Sequence, residues 1–249
     1  NLQNIPLREG LIDIRRAFVA AEGKVLIGAD YSQIELRVLA HLSGDGNLIE
    51  TFKRGEDLHR RTAAEIFGVP PEKVDSRMRS VAKRVNFGIV YGITPYGLAR
   101  DQGIPQEEAK KFIERFFAAY PKVKEYIDRT VREVEERGYA VTILGRKRWI
   151  QAPGGKLVGA ARRNAINAPV QGSAADIMKL AMLECHRLWK DRELPAEMIL
   201  QVHDELIFEV DEDIAEEAGK TIKEAMEGVY ELAAPLKVDI KIGPNWAEI

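Results

Sequence analysis

Two carboxylates far apart in the sequence have the residue type and flanks of a metal-holding pair. Asp30 closes the apolar run Val25-Leu26-Ile27-Gly28-Ala29 and leads into Tyr31-Ser32-Gln33-Ile34-Glu35-Leu36-Arg37. Asp204 stands in Gln201-Val202-His203-Asp204-Glu205, with apolar runs on both sides. An acid at the end of a strand, met by one in the turn of a hairpin, offers hard oxygen ligands to divalent cations over a phosphate. A second set recurs every fourth residue: Arg79, Lys83, Phe87 and Tyr91. At about 100° per residue, Met78, Val81, Ala82, Val85 and Ile89 form a core stripe, which puts those four outside it. Two cations near a helix start can hold a triphosphate, and two aromatics beyond them can meet a base. Taken singly, Phe87 and Tyr91 read equally as a second packing face.

The elements that must carry these residues follow from periodicity and punctuation. Lys24 to Asp30 reads as a short buried strand, and Ser32 opens a helix that Ser43-Gly44 ends. Asp57 can cap a helix from Leu58 to Phe67, and Asp75 can cap the next, about Arg77 to Tyr91. Gln106 to Ala119 and Pro121 to Arg137 are amphipathic helices, the second with Pro at its first position and Gly138 after its last. Tyr139 to Ile150 reads as a hairpin turning at Gly145, and Val170 to Lys190 as a helix. Met198 to Val210 is a hairpin carrying Asp204, followed by a helix from Asp211 to Glu231 and an alternating strand from Leu236 to Ile242. Strands at both ends with helices between them predict an α+β fold, an antiparallel sheet interrupted by a helical insertion. Neither G-x-x-x-x-G-K-[ST] nor G-x-G-x-x-G occurs, so no phosphate-cradling loop of those kinds is expected.

Composition sets the outer bounds. At 249 residues the chain suits one large domain or two intimate subdomains. The single cysteine, Cys185, excludes an internal disulfide, and no apolar run approaches the roughly 18 residues of a membrane span. The net charge of −2 hides an uneven distribution. Ser76 to Arg100 contains no acid, nor does Gly138 to Ala175, and both tracts are basic; Asp211 to Glu231 is strongly acidic. Two basic tracts in a near-neutral chain are the electrostatic footprint of a polyanion partner, although either tract alone reads as a solvated face.

In order along the chain, Asn1-Leu2-Gln3-Asn4-Ile5-Pro6, the Asp30 to Arg37 run, Arg79-x-x-x-Lys83-x-x-x-Phe87-Gly88-x-x-Tyr91-Gly92, Pro169-Val170-Gln171-Gly172 and Gln201 to Glu205 form five motifs. On these the chain resembles the polymerase region of the family A DNA polymerases, the bacterial polymerase I group. The resemblance runs from Asn1 to the C-terminus. It implies a palm from residues 1–52 and 168–249 and helical fingers from residues 53–167. It also implies two Mg²⁺ ions, with Mn²⁺ as a substitute, and dNTPs and primer–template DNA as partners, in the cytoplasm of a bacterial or phage-infected cell.

Residue by residue, the resemblance makes Asp30 and Asp204 the metal ligands, with the Tyr31 carbonyl, and Glu205 a nearby auxiliary carboxylate. Arg79 and Lys83 would hold the triphosphate, and Lys83 would donate a proton to pyrophosphate. His59 falls beside the phosphates, Phe87 packs on the nucleotide, and Tyr91 marks the place of the templating base. Arg163, Asn167, Gln171 and His203, with Gln3 and Asn4 of the first motif, match DNA-binding positions. Glu35 has two readings: a group that excludes a ribose 2′-hydroxyl, or the closing member of a capping box, Ser32-x-x-Glu35. His41, His186 and Cys185 are read as structural. The family's thumb, and a Thr-Gly-Arg stretch preceding the first motif, lie outside this sequence, as do its nuclease domains. The chain is therefore expected to be a piece of a longer one that works with an N-terminal thumb. Phage-type single-subunit RNA polymerases share the palm and the fingers helix, but Glu35, Phe87 and Glu205 favour DNA. A binding module that cannot extend a primer is the reading from another class.

Overall fold

A computed structural model describes Leu2, Ile5 and residues 14–151, 153–192 and 196–249. Gln3 and Asn4 lie outside the described residues. The chain divides into two compact units. Unit 1 takes residues 1–34, 177–231 and 236–249; unit 2 takes residues 35–176 and 232–235.

Unit 1 is built on a four-stranded antiparallel sheet. Its strands are β1 (Lys24–Tyr31), β4 (Ala196–Val202), β5 (Glu205–Asp211) and β6 (Val238–Gly243), in the order β4-β5-β1-β6. The sheet brings the first strand of the chain between two of its last, as the α+β reading expects. Side chains alternate across it. On one face Ile27, Ala29, Leu206 and Phe208 are fully buried. Helix α9 (Ala215–Gly228) lies on β1 and β6, and Trp189 of the long helix α8 (Gly159–Arg192) meets Phe208 edge-on at 4.7 Å. Tyr31 anchors this layer by donating to the Met226 carbonyl. The opposite face holds a smaller cluster of Leu26, Val202, Ile207, Trp246 and Ile249. Cys185 is buried, and burial pushes its thiol up to about 12, as befits a packing residue.

Unit 2 is mainly helical: α1 (Ile34–Ser43), whose first residue belongs to unit 1, α2 (Gly46–Lys53), α3 (Leu58–Phe67), α4 (Ser76–Val90), α5 (Pro95–Gln102), α6 (Gln106–Ala119) and α7 (Pro121–Arg137). A two-stranded hairpin follows, β2 (Tyr139–Val141) with β3 (Lys147–Trp149). Asp57 and Asp75 cap α3 and α4 as their sequence positions predict. Val81, Ala82, Val85 and Ile89 are buried along α4, which confirms the core stripe.

Three expectations need correction. Helix α8 begins at Gly159, not Val170, and runs through Pro169. Pro169 has no N–H to give, so it forfeits one helical bond without ending the helix. The predicted helix from Asp211 is a 3₁₀ turn, Glu212–Ile214, leading into α9. The Ser32 N–H that a capping box would offer to Glu35 is engaged elsewhere. Helix α1 starts at Ile34, Gln33 before it has a left-handed φ of 54°, and the Ser32 N–H donates to the Lys237 carbonyl across the sheet edge.

Candidate functional site

In unit 1 the strand register determines which acids meet. Asp30 pairs with Glu205 on β5 and with Asp239 on β6, so three carboxylates share one face at one end of the sheet. Asp204 sits in the two-residue turn between β4 and β5, and its carbonyl accepts from the Tyr31 N–H at 3.0 Å, which extends the β1–β5 ladder into the turn. The turn is held by a left-handed φ of 51° at His203 and by Gln201, whose side-chain amide donates to the His203 carbonyl. Desolvation, then the charges of Asp204, Glu205 and Asp239, raise the Asp30 carboxyl to about 7, with Lys241 opposing. Desolvation raises Asp204 as well, and Glu205 is raised by burial against the pull of Arg15 and Lys241. Asp30 and Asp204 still reach solvent, so water damps these displacements.

Gly28 makes this crowding possible. It lies on the same face as Asp30, and a Cβ there would stand 2.9 Å from Glu205 Oε1 and 3.2 Å from Ile249 Cβ. A side chain there would push the flexible end of Glu205 aside and require Ile249 to give by a few tenths of an ångström.

Hard oxygen donors gathered at a cost in mutual repulsion fit a divalent cation. Among the described residues, no group of three or more His, Cys, Asp or Glu side chains already converges as a finished coordination set. The fit is therefore to the Asp30 and Asp204 carboxylates as anchors, with other ligands supplied by whatever is bound.

In unit 2 the chemistry is carried by α4 and its neighbours. Asp57 Oδ1 caps α3 through the N–H groups of His59 and Arg60, while Oδ2 accepts from Arg79 Nε at 2.6 Å. Burial pushes Asp57 up, but the hydrogen bonds from Arg79 and the Arg60 backbone outweigh it and hold the carboxyl low. Lys83 is exposed one turn further along. Phe87 is half-buried against the His59 ring, with centroids 5.8 Å apart. Tyr91 ends α4, and its hydroxyl donates to Glu35 Oε2 at 2.9 Å. Glu35 is thus a tethered side chain. Phe87 and Tyr91, with Arg84, Tyr96, Arg100 and Arg163, line a cavity of about 580 Å³. Arg163, Asn167 and Gln171 follow at intervals of four on α8; Arg163 and Gln171 are exposed, and Asn167 is buried.

The sequence reading missed several contributors. Asp57 was read only as a cap, although its second oxygen holds Arg79. Asp239 and Lys241, two apart on a strand, had to share a face, and that spacing was the available signal. Asn86 extends the core stripe of α4, where a polar residue should have raised the question of its partner. The Nδ1 of His41 accepts from the Ala233 N–H.

The model of DNA polymerase family A matches residues 1–248. This chain belongs to that family. It is 52% identical to the thermostable DNA polymerase I of Thermus aquaticus over 251 residues, which cover 99% of this chain and 30% of that protein. It is 49% identical to the DNA polymerase I of Chloroflexus aurantiacus, across the whole chain and 27% of the relative. Among solved structures, the polymerase domain of M. smegmatis Pol1, in complex with a DNA primer–template and dNTP, superposes with a TM-score of 0.92 at 43% identity. That match covers 99% of this chain and 44% of the other. The family resemblance and the α+β fold are therefore shown, and the chain spans about 30% of the length of the Thermus relative. Among the described residues no helix is long and apolar enough to cross a membrane.

Proposed function

We propose that this chain is the catalytic portion of a template-directed DNA polymerase. It adds dNTPs to a primer 3′-hydroxyl during replication and repair, in the cytoplasm of a bacterial or phage-infected cell. The observation that carries this is the concentration of Asp30, Asp204 and Glu205 at one end of the sheet in a chain of this family. Asp30 and Asp204, with the Tyr31 carbonyl, hold two Mg²⁺ ions, for which Mn²⁺ can substitute. When bound, such ions lower the pKa of the attacking hydroxyl and stabilise charge on the departing pyrophosphate, the general two-metal scheme of polymerases.

The remaining roles fall to this chain's own side chains. Arg79 and Lys83 neutralise the triphosphate, and Lys83, exposed and cationic, delivers a proton to pyrophosphate. His59 stands beside the phosphates. Phe87 packs on the incoming nucleotide, and Tyr91, at the cavity wall, marks the templating base. Glu35 fills the space of a 2′-hydroxyl. Arg163, Asn167, Gln171 and His203, with Gln3 and Asn4, bind the primer–template. Residues 1–52 and 168–249 make up a palm and residues 53–167 the fingers; unit 1 lies wholly within that palm, and unit 2 holds the fingers together with palm residues 35–52, 168–176 and 232–235.

The test is primer extension with dNTPs in Mg²⁺, run with and without an upstream thumb-containing fragment in trans. Wild-type chain extends the primer under at least one condition, and Asp30→Ala and Asp204→Ala reduce extension to background while retaining the wild-type circular dichroism. Normal extension by either variant would remove the metal assignment. Failure of the wild type under both conditions would favour a binding module.

A further inference from the structure

Unit 2 buries four polar side chains in one place: His59 (4% exposed), Thr62 (0%), Asn86 (1%) and Tyr120 (2%). His59 and Thr62 lie one turn apart on α3, Asn86 faces them from α4, and Tyr120 joins α6 to α7. Buried polar groups are tolerated when their hydrogen bonds are complete, and a complete network has a direction. Thr62 donates its single hydroxyl proton to Asn86 Oδ1 at 3.0 Å. Its Oγ1 is then the acceptor for the Tyr120 hydroxyl, 3.3 Å away. The Asn86 carbonyl being taken, its amide nitrogen faces His59 Nδ1 at 2.9 Å and must donate to it.

A ring nitrogen that accepts cannot carry the proton, so the proton of a neutral His59 sits on Nε2. The ring is neutral: burial pulls His59 down to about 4, the Arg79 and Lys83 charges push the same way, and Asp57 opposes them. Among the described residues Nε2 has no hydrogen-bond partner and is not a buried unpartnered atom, so it is the end of the ring left to meet a ligand. Phe87 flanks the ring.

We propose that Asn86, oriented by Thr62 and Tyr120, is a positioning residue that locks His59 in its Nε2–H form, so that the ring presents one neutral N–H donor to the triphosphate. The proposal rests on the assignment of His59 beside the nucleotide. With the proton on Nδ1, the Nε2 lone pair would point at anionic phosphate oxygens and repel them. With it on Nε2, the ring donates without adding a proton-dependent charge between Arg79 and Lys83. The lock is reversible in one step, because turning the Asn86 amide over would reverse every bond in the chain. Asn86→Asp, of the same shape but without a donor, reverses the bond to His59 alone, because a carboxylate still accepts from Thr62.

The chain has four histidines, so ¹⁵N-histidine labelling gives few signals, and His59→Ala identifies the one that matters. Wild-type protein should show His59 with an unprotonated Nδ1 and a protonated Nε2, and this spectrum decides the lock without any variant. Asn86→Asp should move a proton to Nδ1. Titrating dATP should shift the Nε2–H signal in the wild type. The dATP dissociation constant should rise about two- to fivefold in Asn86→Leu, less than the roughly tenfold or more of a hydrogen bond to a charged acceptor lost outright, because the ring stays and only its tautomer and orientation are freed. That rise should vanish when Asn86→Leu is made in a His59→Ala background. A protonated Nδ1 in the wild type overturns the proposal, as does an Asn86→Leu effect of equal size without His59. A correct tautomer that dATP leaves unmoved overturns the triphosphate half alone, and primer extension then shows separately whether the polymerase reading stands.

Discussion

The two units hold charge in opposite ways. In unit 1, Asp30, Asp204, Glu205 and Asp239 are forced together by antiparallel register, with Lys241 and Arg15 as partial relief. The acids cannot separate without breaking the ladder, so their repulsion is stored in the fold. In unit 2 the functional side chains sit on helices and are long, and the fold supplies a tether for each of several. Arg79 is held by Asp57, Glu35 by Tyr91, and His59 by Asn86. Strand-borne short acids need no tether and pay in electrostatics; helix-borne long side chains escape the repulsion but must be oriented.

The largest effect that would test this contrast lies in the cations. On the proposed assignment, with Lys83 exposed and in no ion pair among the described residues, Lys83→Ala should remove its contact with the triphosphate. Charge-assisted contacts of that kind contribute roughly 1.5–3 kcal/mol, which predicts a dNTP KM raised about 10- to 100-fold. Arg79→Ala should be worse, because it also leaves the Asp57 carboxylate unneutralised near the phosphates. Adding Asp57→Asn, which keeps the capping oxygen, should then recover part of the loss. Steady-state kinetics of the three variants decides the matter. No recovery in the double variant would mean that Asp57 is a cap and nothing more.

The stored repulsion of unit 1 is tested by stability rather than rate. Asp30 has a folded pKa of about 7 against an ordinary value of 3.8, so its contribution to stability is complete below about pH 4. That contribution is lost as pH rises through 7. Asp30→Asn cannot ionise and escapes that loss. Thermal melts without divalent cations should therefore show the variant equal to wild type at pH 4 and more stable at pH 8. Because Asp30 is solvent-exposed, the gain should be about 1–2 kcal/mol, well below what the full displacement from 3.8 to about 7 would imply. Added Mg²⁺ should stabilise the wild type and not the variant, reversing their order. A variant that is less stable at every pH would show that the acids are ordinary hydrogen-bonded surface groups.

What the sequence made legible follows the same division. Asp30, Asp204 and the α4 set were readable because each depends on a local pattern: an apolar run ending in an acid, a hairpin turn, a four-residue repeat. The cap assignments of Asp57 and Asp75 were equally local. The Asp239 and Lys241 contributions were not read, because which strand lies beside β1 is a property of sheet order and not of any segment. Gly28 looked like an unremarkable residue in a strand until Glu205 was found across it. The capping-box signal teaches the converse. Ser32-x-x-Glu35 is a sound local signal, but Lys237, two hundred residues away, takes the Ser32 N–H, and Tyr91 takes the Glu35 carboxylate.

The smallest predicted effect isolates one tether. If Glu35 excludes a 2′-hydroxyl by occupying its space, Glu35→Ala should raise ribonucleotide use relative to deoxyribonucleotide, since truncation opens that space. Tyr91→Phe leaves Glu35 in place and removes the 2.9 Å hydrogen bond between the two side chains. Tyr91 is 44% exposed, so water can replace much of that bond, and the net loss should be about 0.5–1 kcal/mol. A loss of that size predicts sugar discrimination relaxed by about two- to fivefold, with deoxyribonucleotide kcat little changed. Competitive incorporation of one rNTP against its dNTP, in wild type and both variants, reads the ratio directly. Discrimination unchanged in Tyr91→Phe but lost in Glu35→Ala would mean that the carboxylate is positioned by α1 alone. Discrimination unchanged in both, with only the melting temperature lowered, would mean that Glu35 serves the fold and that another group tests the sugar.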